Sequence, residues 1–172
     1  MSFKEPIPTF PALVRWVTIR NFLKFFERVV KENPGKKVSI ITHSFGGWIV
    51  ENALPSILKR TPLHSIVYVH CPISAHIEQG FYYSWLKEGQ INSLHSWSSH
   101  KDFVIGQMAI PPFGQNGYWG YLRSDVVTDR LKPAERPYPD INLFNHQTLE
   151  KHLGIIENLD EYGPKLLENL VS

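Results

Sequence analysis

The chain has 172 residues, a hydrophobic content of 42% and a formal net charge of +2 at pH 7. This length and apolar content suit a single globular domain over residues 1–172. The basic residues are scattered, which argues against a nucleic-acid-binding surface. No apolar run is long enough for a membrane span, and the N-terminus lacks the layout of a signal peptide. The single cysteine, Cys71, cannot form an internal disulfide, so we expect a cytoplasmic protein.

Hydrophobic patterns predict helices that alternate with short strands. A broad apolar face indicates a helix over residues 14–33, which Asn33-Pro34-Gly35 ends. The short β-branched run from Val38 to Ile41 then predicts a strand buried on both faces. Further strands are expected at 65–69, 93–98 and 141–144, and further helices at 48–58, 77–88 and 161–171. This order predicts an α/β fold, a parallel sheet of about four strands with helices on both faces.

The turn after the first strand carries the main functional signal. Residues 43–47 read His-Ser-Phe-Gly-Gly, and they stand between the strand at 38–41 and the helix at 48–58. A serine in a tight strand-to-helix turn is the context of a nucleophile elbow, which holds the hydroxyl at the carboxyl end of the strand. Gly46 fits the close approach of strand and helix, whereas Thr42 stands where the pattern has Gly or Ala. The alternative is an ordinary turn that contains a serine.

Three segments together resemble the C-terminal portion of the α/β-hydrolase superfamily, in particular its lipase- and esterase-like members. The first is the Thr-His-Ser-Phe-Gly-Gly turn at 42–47. The second, Ser-Ser-His-Lys-Asp-Phe-Val at 98–104, is similar to the turn that presents the acid. The third, His-Leu-Gly-Ile-Ile at 152–156, is similar to the start of the last helix in small lidless bacterial lipases. They follow the order Ser, Asp, His of that superfamily.

The resemblance implies a serine hydrolase that acts on small-molecule ester or acyl substrates without a cofactor or metal. Ser44 is then the nucleophile and His152 the base that takes its proton. Asp102 orients His152 and stabilises its charged form. The backbone N–H of Phe45 supplies one donor of the oxyanion hole.

Other residues compete for the roles of base and acid. His146 also follows the fourth predicted strand closely, although we expect it to be still in extended chain. The Leu-Gly-Ile-Ile context therefore favours His152 over His146 as the base. Three further aspartates lie in or beside a polar, proline-containing stretch and are expected to be solvated rather than catalytic. They are Asp125, Asp129 and Asp140.

The remaining histidines have simpler interpretations. His43 is expected to be a structural, hydrogen-bonded neighbour of Ser44 rather than a second base. His95 and His100, together with Asp102, raise the question of a metal cluster. No helical His-x-x-x-His spacing or cysteine pair supports one, so we predict no metal site.

The resemblance also implies strands that should precede residue 14, including one whose loop gives the second oxyanion donor. Without them the strand that starts near Val38 becomes an edge strand with unpaired backbone groups. We therefore expect an N-terminally truncated hydrolase domain that self-associates, or binds a partner chain, along the strand from Val38 to Ile41. A second interpretation is an inactive hydrolase remnant, an interaction module that binds through this sheet edge.

Overall fold

A computed structural model describes residues 12–74, 81–107, 117, 138 and 140–171 of the chain, without the side chains of 12 and 13. Helices and short strands alternate along it. The strands are β1 (Ser39–His43), β2 (Leu63–Val69), β3 (Ile91–Ser98) and β4 (Leu143–Gln147). The helices are α1 (Ala12–Glu32), α2 (Phe45–Leu58), α3 (Tyr82–Lys87), α4 (Phe103–Gln107), α5 (Gly154–Glu157) and α6 (Leu159–Val171).

The four strands form one parallel sheet in the order β1-β2-β3-β4. Ser39 of β1 is in register with Ser65 of β2, and Ser65 with Ser93 of β3. On the far side, Leu94 of β3 pairs with Leu143 of β4. The predicted α/β fold with a parallel sheet of about four strands is confirmed. Because the strands run in one direction, their carboxyl ends lie at one edge of the sheet.

Helices cover both faces of the sheet, as predicted. Alternate residues of β2 belong to two separate apolar clusters, since successive side chains of a strand point to opposite faces. Ile66 and Tyr68 pack with residues of α1, α2 and α3. Val67 and Val69 pack on the other face with residues of α5 and α6. Strand β2, at the centre, is therefore almost wholly buried.

The prediction that β1 is buried on both faces is wrong. Most of its residues are only half-buried, and Ile41 is 47% exposed. The reason is its position, because β1 is at the end of the sheet and pairs only with β2 among the described residues. Its character as an edge strand was expected from the sequence. The apolar run that suggested a central strand does not require neighbours on both sides.

The predicted fourth strand is displaced along the chain. We expected it at 141–144, whereas β4 runs from Leu143 to Gln147. Ile141 owes its apolar character to the core, where it is buried against the α1–α2 side of the sheet. The polar end of β4 pairs with the end of β3, Asn145 with Ser96 and Gln147 with Ser98. The apolar pattern therefore identified residues just before β4 and missed its polar C-terminal half.

The helix predicted at 77–88 is observed only over Tyr82–Lys87, and residues 75–80 lie outside the described part. Helices α4 and α5 have five and four residues, too few for a periodic pattern to predict. Among the helices described, none combines the length and the apolar character needed to cross a bilayer.

Candidate active site

The site lies at the edge of the sheet where the strands end. Ser44 directly follows β1, and His70 directly follows β2. Asp102 comes after β3, immediately before α4, and His152 comes after β4, shortly before α5. In open parallel sheets this edge is where ligands bind, because loops of several strands converge there. The topology therefore brings together residues that are far apart in the sequence.

Ser44 occupies a strained turn between β1 and α2. Its φ of 53° lies in the left-handed region, and its ψ is −133°. Such a backbone costs a residue other than glycine about 1–3 kcal/mol and is typical of functional sites. The turn is held by hydrogen bonds from the Ser44 N–H to the Val69 carbonyl (3.1 Å) and from the Gly47 N–H to the Ser44 carbonyl (3.0 Å). The Ser44 hydroxyl does not cap α2 and points elsewhere.

Gly46 explains how Thr42 is accommodated where the sequence pattern has Gly or Ala. A Cβ atom added at Gly46 would lie 2.5 Å from the Thr42 Oγ1 atom, which is closer than real contacts allow. The strand and the helix thus approach each other across this pair, and the space that Gly46 leaves is taken by the threonine side chain. The departure at Thr42 leaves the turn intact.

Ser44, His152 and Asp102 form one hydrogen-bonded chain. The Ser44 Oγ atom lies 2.8 Å from His152 Nε2, and His152 Nδ1 lies 2.9 Å from Asp102 Oδ2. A carboxylate only accepts hydrogen bonds, so we assign the ring proton to Nδ1. The Nε2 atom is then left to accept the Ser44 hydroxyl. The Asp102 side chain is fully buried, and that of His152 is 16% exposed.

Asp102 is fixed by three contacts as well as by burial. Its Oδ1 atom accepts the N–H of Ile105 at 3.0 Å, as an N-cap residue does at the start of a helix. Its Oδ2 atom faces both His152 and, at 3.4 Å, the Nδ1 atom of His70. The short helix α4 therefore serves to hold the carboxylate in place.

Two further histidines surround the main chain of His152. His43 Nε2 lies 2.8 Å from the His152 carbonyl oxygen, and His70 Nδ1 lies 3.1 Å from the same atom. Burial is the largest influence on both rings and lowers the pKa of each. The expectation that His43 is a hydrogen-bonded neighbour is confirmed. His70 was not among the residues predicted from the sequence, although its position directly after a buried parallel strand was a usable signal.

The alternative base and acids lie elsewhere. His146 is inside β4, as its expected extended chain implies, and its Nε2 atom is 3.1 Å from His95 Nδ1. Asp140 accepts the Tyr83 hydroxyl at 2.6 Å. Asp125 and Asp129 lie outside the described residues. Of the two candidate bases, His152 is the one hydrogen-bonded to Ser44.

The sequence raised the question of a metal cluster of His95, His100 and Asp102. The ring of His95 faces His146 instead. Within the described residues, the donor atoms that do approach one another belong to His43, His70 and His152, all within 4.8 Å. Ligand atoms around a tetrahedral Zn²⁺ are about 3.4 Å apart, given bonds of about 2.1 Å. The nitrogens of His43 and His70 also face a carbonyl, which makes hydrogen bonding the simpler account.

Phe45 begins helix α2, and its ring stacks on Trp48 with the ring centroids 5.3 Å apart. Its peptide N–H thus belongs to the residue next to Ser44, at the positive end of the helix dipole. The first N–H groups of a helix favour a negative charge placed next to them.

No family model, curated protein or solved structure matches this chain significantly. A function for this protein is therefore inferred from the geometry of its own residues.

Proposed function

We propose that the protein is a serine hydrolase that acts on small-molecule ester or acyl substrates. The observation that carries the proposal is the hydrogen-bonded chain from the Ser44 hydroxyl through His152 to the buried carboxylate of Asp102. A serine hydroxyl becomes an effective nucleophile when an imidazole can accept its proton, and the imidazole needs a group that orients it. These requirements are met here by three residues from three different loops.

In this proposal the Ser44 Oγ atom attacks the acyl carbon while its proton moves to His152 Nε2. The tetrahedral intermediate collapses when His152 gives that proton to the leaving group, and an acyl-enzyme remains. A water molecule, activated by His152 in the same way, then releases the acid and restores the serine. Asp102 orients His152 and stabilises the imidazolium that forms in each half of the reaction.

The oxyanion of the intermediate needs hydrogen-bond donors. The Phe45 N–H, next to Ser44 at the start of α2, is the donor that we assign to it. Removal of one such donor in a hydrolase costs roughly 3 kcal/mol of transition-state stabilisation. A substitution that reorients the first turn of α2 would move the Phe45 N–H. It should therefore lower the rate of acylation and leave the affinity for substrate unchanged.

A fluorophosphonate probe tests the proposal, because it reacts with activated serines. We expect it to label wild-type protein at Ser44, with the site identified by peptide mass spectrometry. The Ser44→Ala variant should not be labelled. Ser56→Ala is the matched control, since Ser56 is an exposed serine of the same helix α2 and should leave labelling unchanged. Well-folded wild-type protein that the probe does not label would contradict the proposal.

A second proposal concerns strand β1, which is the last strand of the sheet among the described residues. It agrees with the second interpretation of the sequence, an inactive interaction module. Strand β1 pairs on one side only among the described residues, and Ile41 is 47% exposed on it. An edge with apolar side chains favours pairing with another chain. We propose that β1 mediates self-association or binding to a partner chain.

Size-exclusion chromatography with light scattering tests this at micromolar concentration. We expect oligomers for the wild type and a shift toward monomer for Ile41→Lys, since a charge on an edge strand opposes pairing. Leu159→Lys is the control, because Leu159 is as exposed but lies in α6. A wild-type chain that is entirely monomeric would contradict self-association.

A further inference from the structure

His70 lies beside Asp102 and His152. It was not predicted from the sequence, and it has no role in the proposed reaction. Its side chain is completely buried, although it is a polar ring at the end of a strand. Its Nδ1 atom is 3.1 Å from the His152 carbonyl oxygen and 3.4 Å from Asp102 Oδ2. Its Nε2 atom is 3.4 Å from the Thr148 hydroxyl. One ring thus contacts the loops after β3 and β4 together.

The neighbours of the ring determine where its proton is. A carbonyl oxygen and a carboxylate oxygen can only accept hydrogen bonds, so Nδ1 must donate. Nε2 is then the acceptor, and the hydroxyl of Thr148 can donate to it. Burial lowers the pKa of His70, which is consistent with a neutral ring that carries one proton. The ring is therefore held in a single tautomer by groups on both of its sides.

The main chain at His70 is held in an unusual conformation. Its φ is 47°, in the left-handed region that residues other than glycine seldom adopt. Its N–H donates to the Trp97 carbonyl at 2.9 Å, which ties it to the end of β3. Such a conformation persists when the surroundings over-determine it, and it is typical of functional sites. This conformation places the ring between Asp102 and His152.

We propose that His70 is a positioning residue, whose Nδ1–H holds the main chain of His152 and the carboxylate of Asp102 in one fixed arrangement. This inference rests on the proposed hydrolase function. His43 donates to the same carbonyl oxygen, so that two N–H groups face its two lone pairs. Of these two histidines, His70 is the one placed against the Asp102 carboxylate. Groups that orient a reacting histidine in this indirect way change rates by about 10- to 100-fold in metalloenzymes.

Two substitutions at His70 distinguish the effect of its N–H donor from the effect of its backbone conformation. His70→Asn keeps an N–H close to the position of Nδ1, and asparagine tolerates a left-handed φ. His70→Gly tolerates the same φ but has no donor. In hydrolysis of p-nitrophenyl acetate we expect His70→Gly to lower kcat about 10- to 100-fold with KM changed less than about twofold. His70→Asn should restore most of kcat.

Proton NMR gives a readout that does not depend on activity. The proton between His152 Nδ1 and Asp102 should resonate far downfield, and its loss in His152→Ala assigns it. We expect the signal to be broadened or lost in His70→Gly and retained in His70→Asn. Thr148→Val, which removes the hydroxyl that faces Nε2, gives a second test if His70→Gly does not fold. It should weaken the same signal and lower kcat by a smaller factor.

The two proposals fail in different ways. If the wild type neither hydrolyses esters nor reacts with the probe, the hydrolase proposal is lost, while the NMR signal still tests the role of His70. If folded His70→Gly, or Thr148→Val in its place, keeps the wild-type signal and kcat, the positioning role is wrong. A purely structural role would lower the melting temperature in these variants and leave both readouts unchanged.

Discussion

His146 and His152 are six residues apart in the sequence, one inside β4 and the other beyond its end, and their surroundings differ. His146 is inside β4, where its ring stacks on Trp97 with centroids 4.8 Å apart and its Nε2 atom faces His95. His152 comes after the strand and lies between Ser44 and Asp102. One ring is part of an aromatic stack on the face of the sheet, whereas the other is part of a polar chain at its edge.

The difference shows that the contacts of a histidine depend on whether it lies within a parallel strand or beyond its end. A histidine within the strand points to a face and packs against the neighbouring strand. A histidine in the loop beyond it can meet the loops of the other strands. Only the second arrangement brings the ring to a serine and a carboxylate at once. We therefore expect substitutions at the two histidines to have opposite consequences.

The largest expected effect is on turnover. His152→Ala should lower the rate of ester hydrolysis by about 10⁵-fold or more, because it removes the base that activates Ser44. His146→Ala should leave the rate within about threefold of the wild type, since that ring is not in contact with the serine. Steady-state kinetics on both variants measures the contrast. A greater loss in His146→Ala would reverse the assignment of the base.

The carboxylate gives the next largest effect. Asp102→Asn should lower kcat by about 10⁴-fold, because an amide can donate to His152 Nδ1 and so favours the wrong tautomer. Asp140→Asn is the matched control, since Asp140 is an exposed aspartate that accepts the Tyr83 hydroxyl. Circular dichroism should show that both variants keep the fold. Equal rates in the two variants would remove Asp102 from the proposed mechanism.

His95, which stacks on Phe144 and His146, should affect the stability of the protein in acid. Burial is the main cause that lowers the pKa of His95 to about 4, and the charge of His146 acts in the same direction. The unfolded chain binds this proton near pH 6.5, so the stabilisation present above that pH is lost as the pH falls toward 4. The loss in the free energy of unfolding is on the order of 3 kcal/mol.

Urea unfolding of wild type and His95→Phe between pH 7 and pH 4 measures this loss. The phenylalanine preserves the stack on Phe144 and does not titrate, so the pH dependence should be flatter by about that amount. Glu51 contributes with the opposite sign, because burial raises its pKa to about 7. Its contribution is common to both proteins and cancels. Parallel curves for the two would contradict the assignment to His95.

The smallest expected effect concerns the turn that presents Ser44 to His152. Gly46→Ala should destabilise the protein by about 1–3 kcal/mol, because the new methyl group meets Thr42 Oγ1. In the double variant Thr42→Ala/Gly46→Ala the nearest atom would be the Cβ at position 42, 3.9 Å away. The second substitution should therefore recover most of the loss. A double-mutant cycle from thermal melts measures the coupling, and simple additivity would contradict the close contact.

The sequence predicted the α/β class and the parallel sheet because those features depend on local hydrophobic patterns. The predicted ends of β1, β2 and β3 lie within two residues of the observed ends. The sequence misplaced β4, where the apolar signal came from Ile141 in the core rather than from the strand itself. It also treated β1 as buried on both faces, since a β-branched run does not reveal whether its neighbours are present.

The sequence by itself determined that a serine stands in a strand-to-helix turn, and that an aspartate and a histidine follow later strands in a fixed order. Only the tertiary structure decided that His152 rather than His146 meets Ser44, and that His70 lies against both Asp102 and His152. The physical reason is that periodicity reports which residues are buried on one element. Contacts between loops depend on where several strands end in space, and no local pattern encodes that.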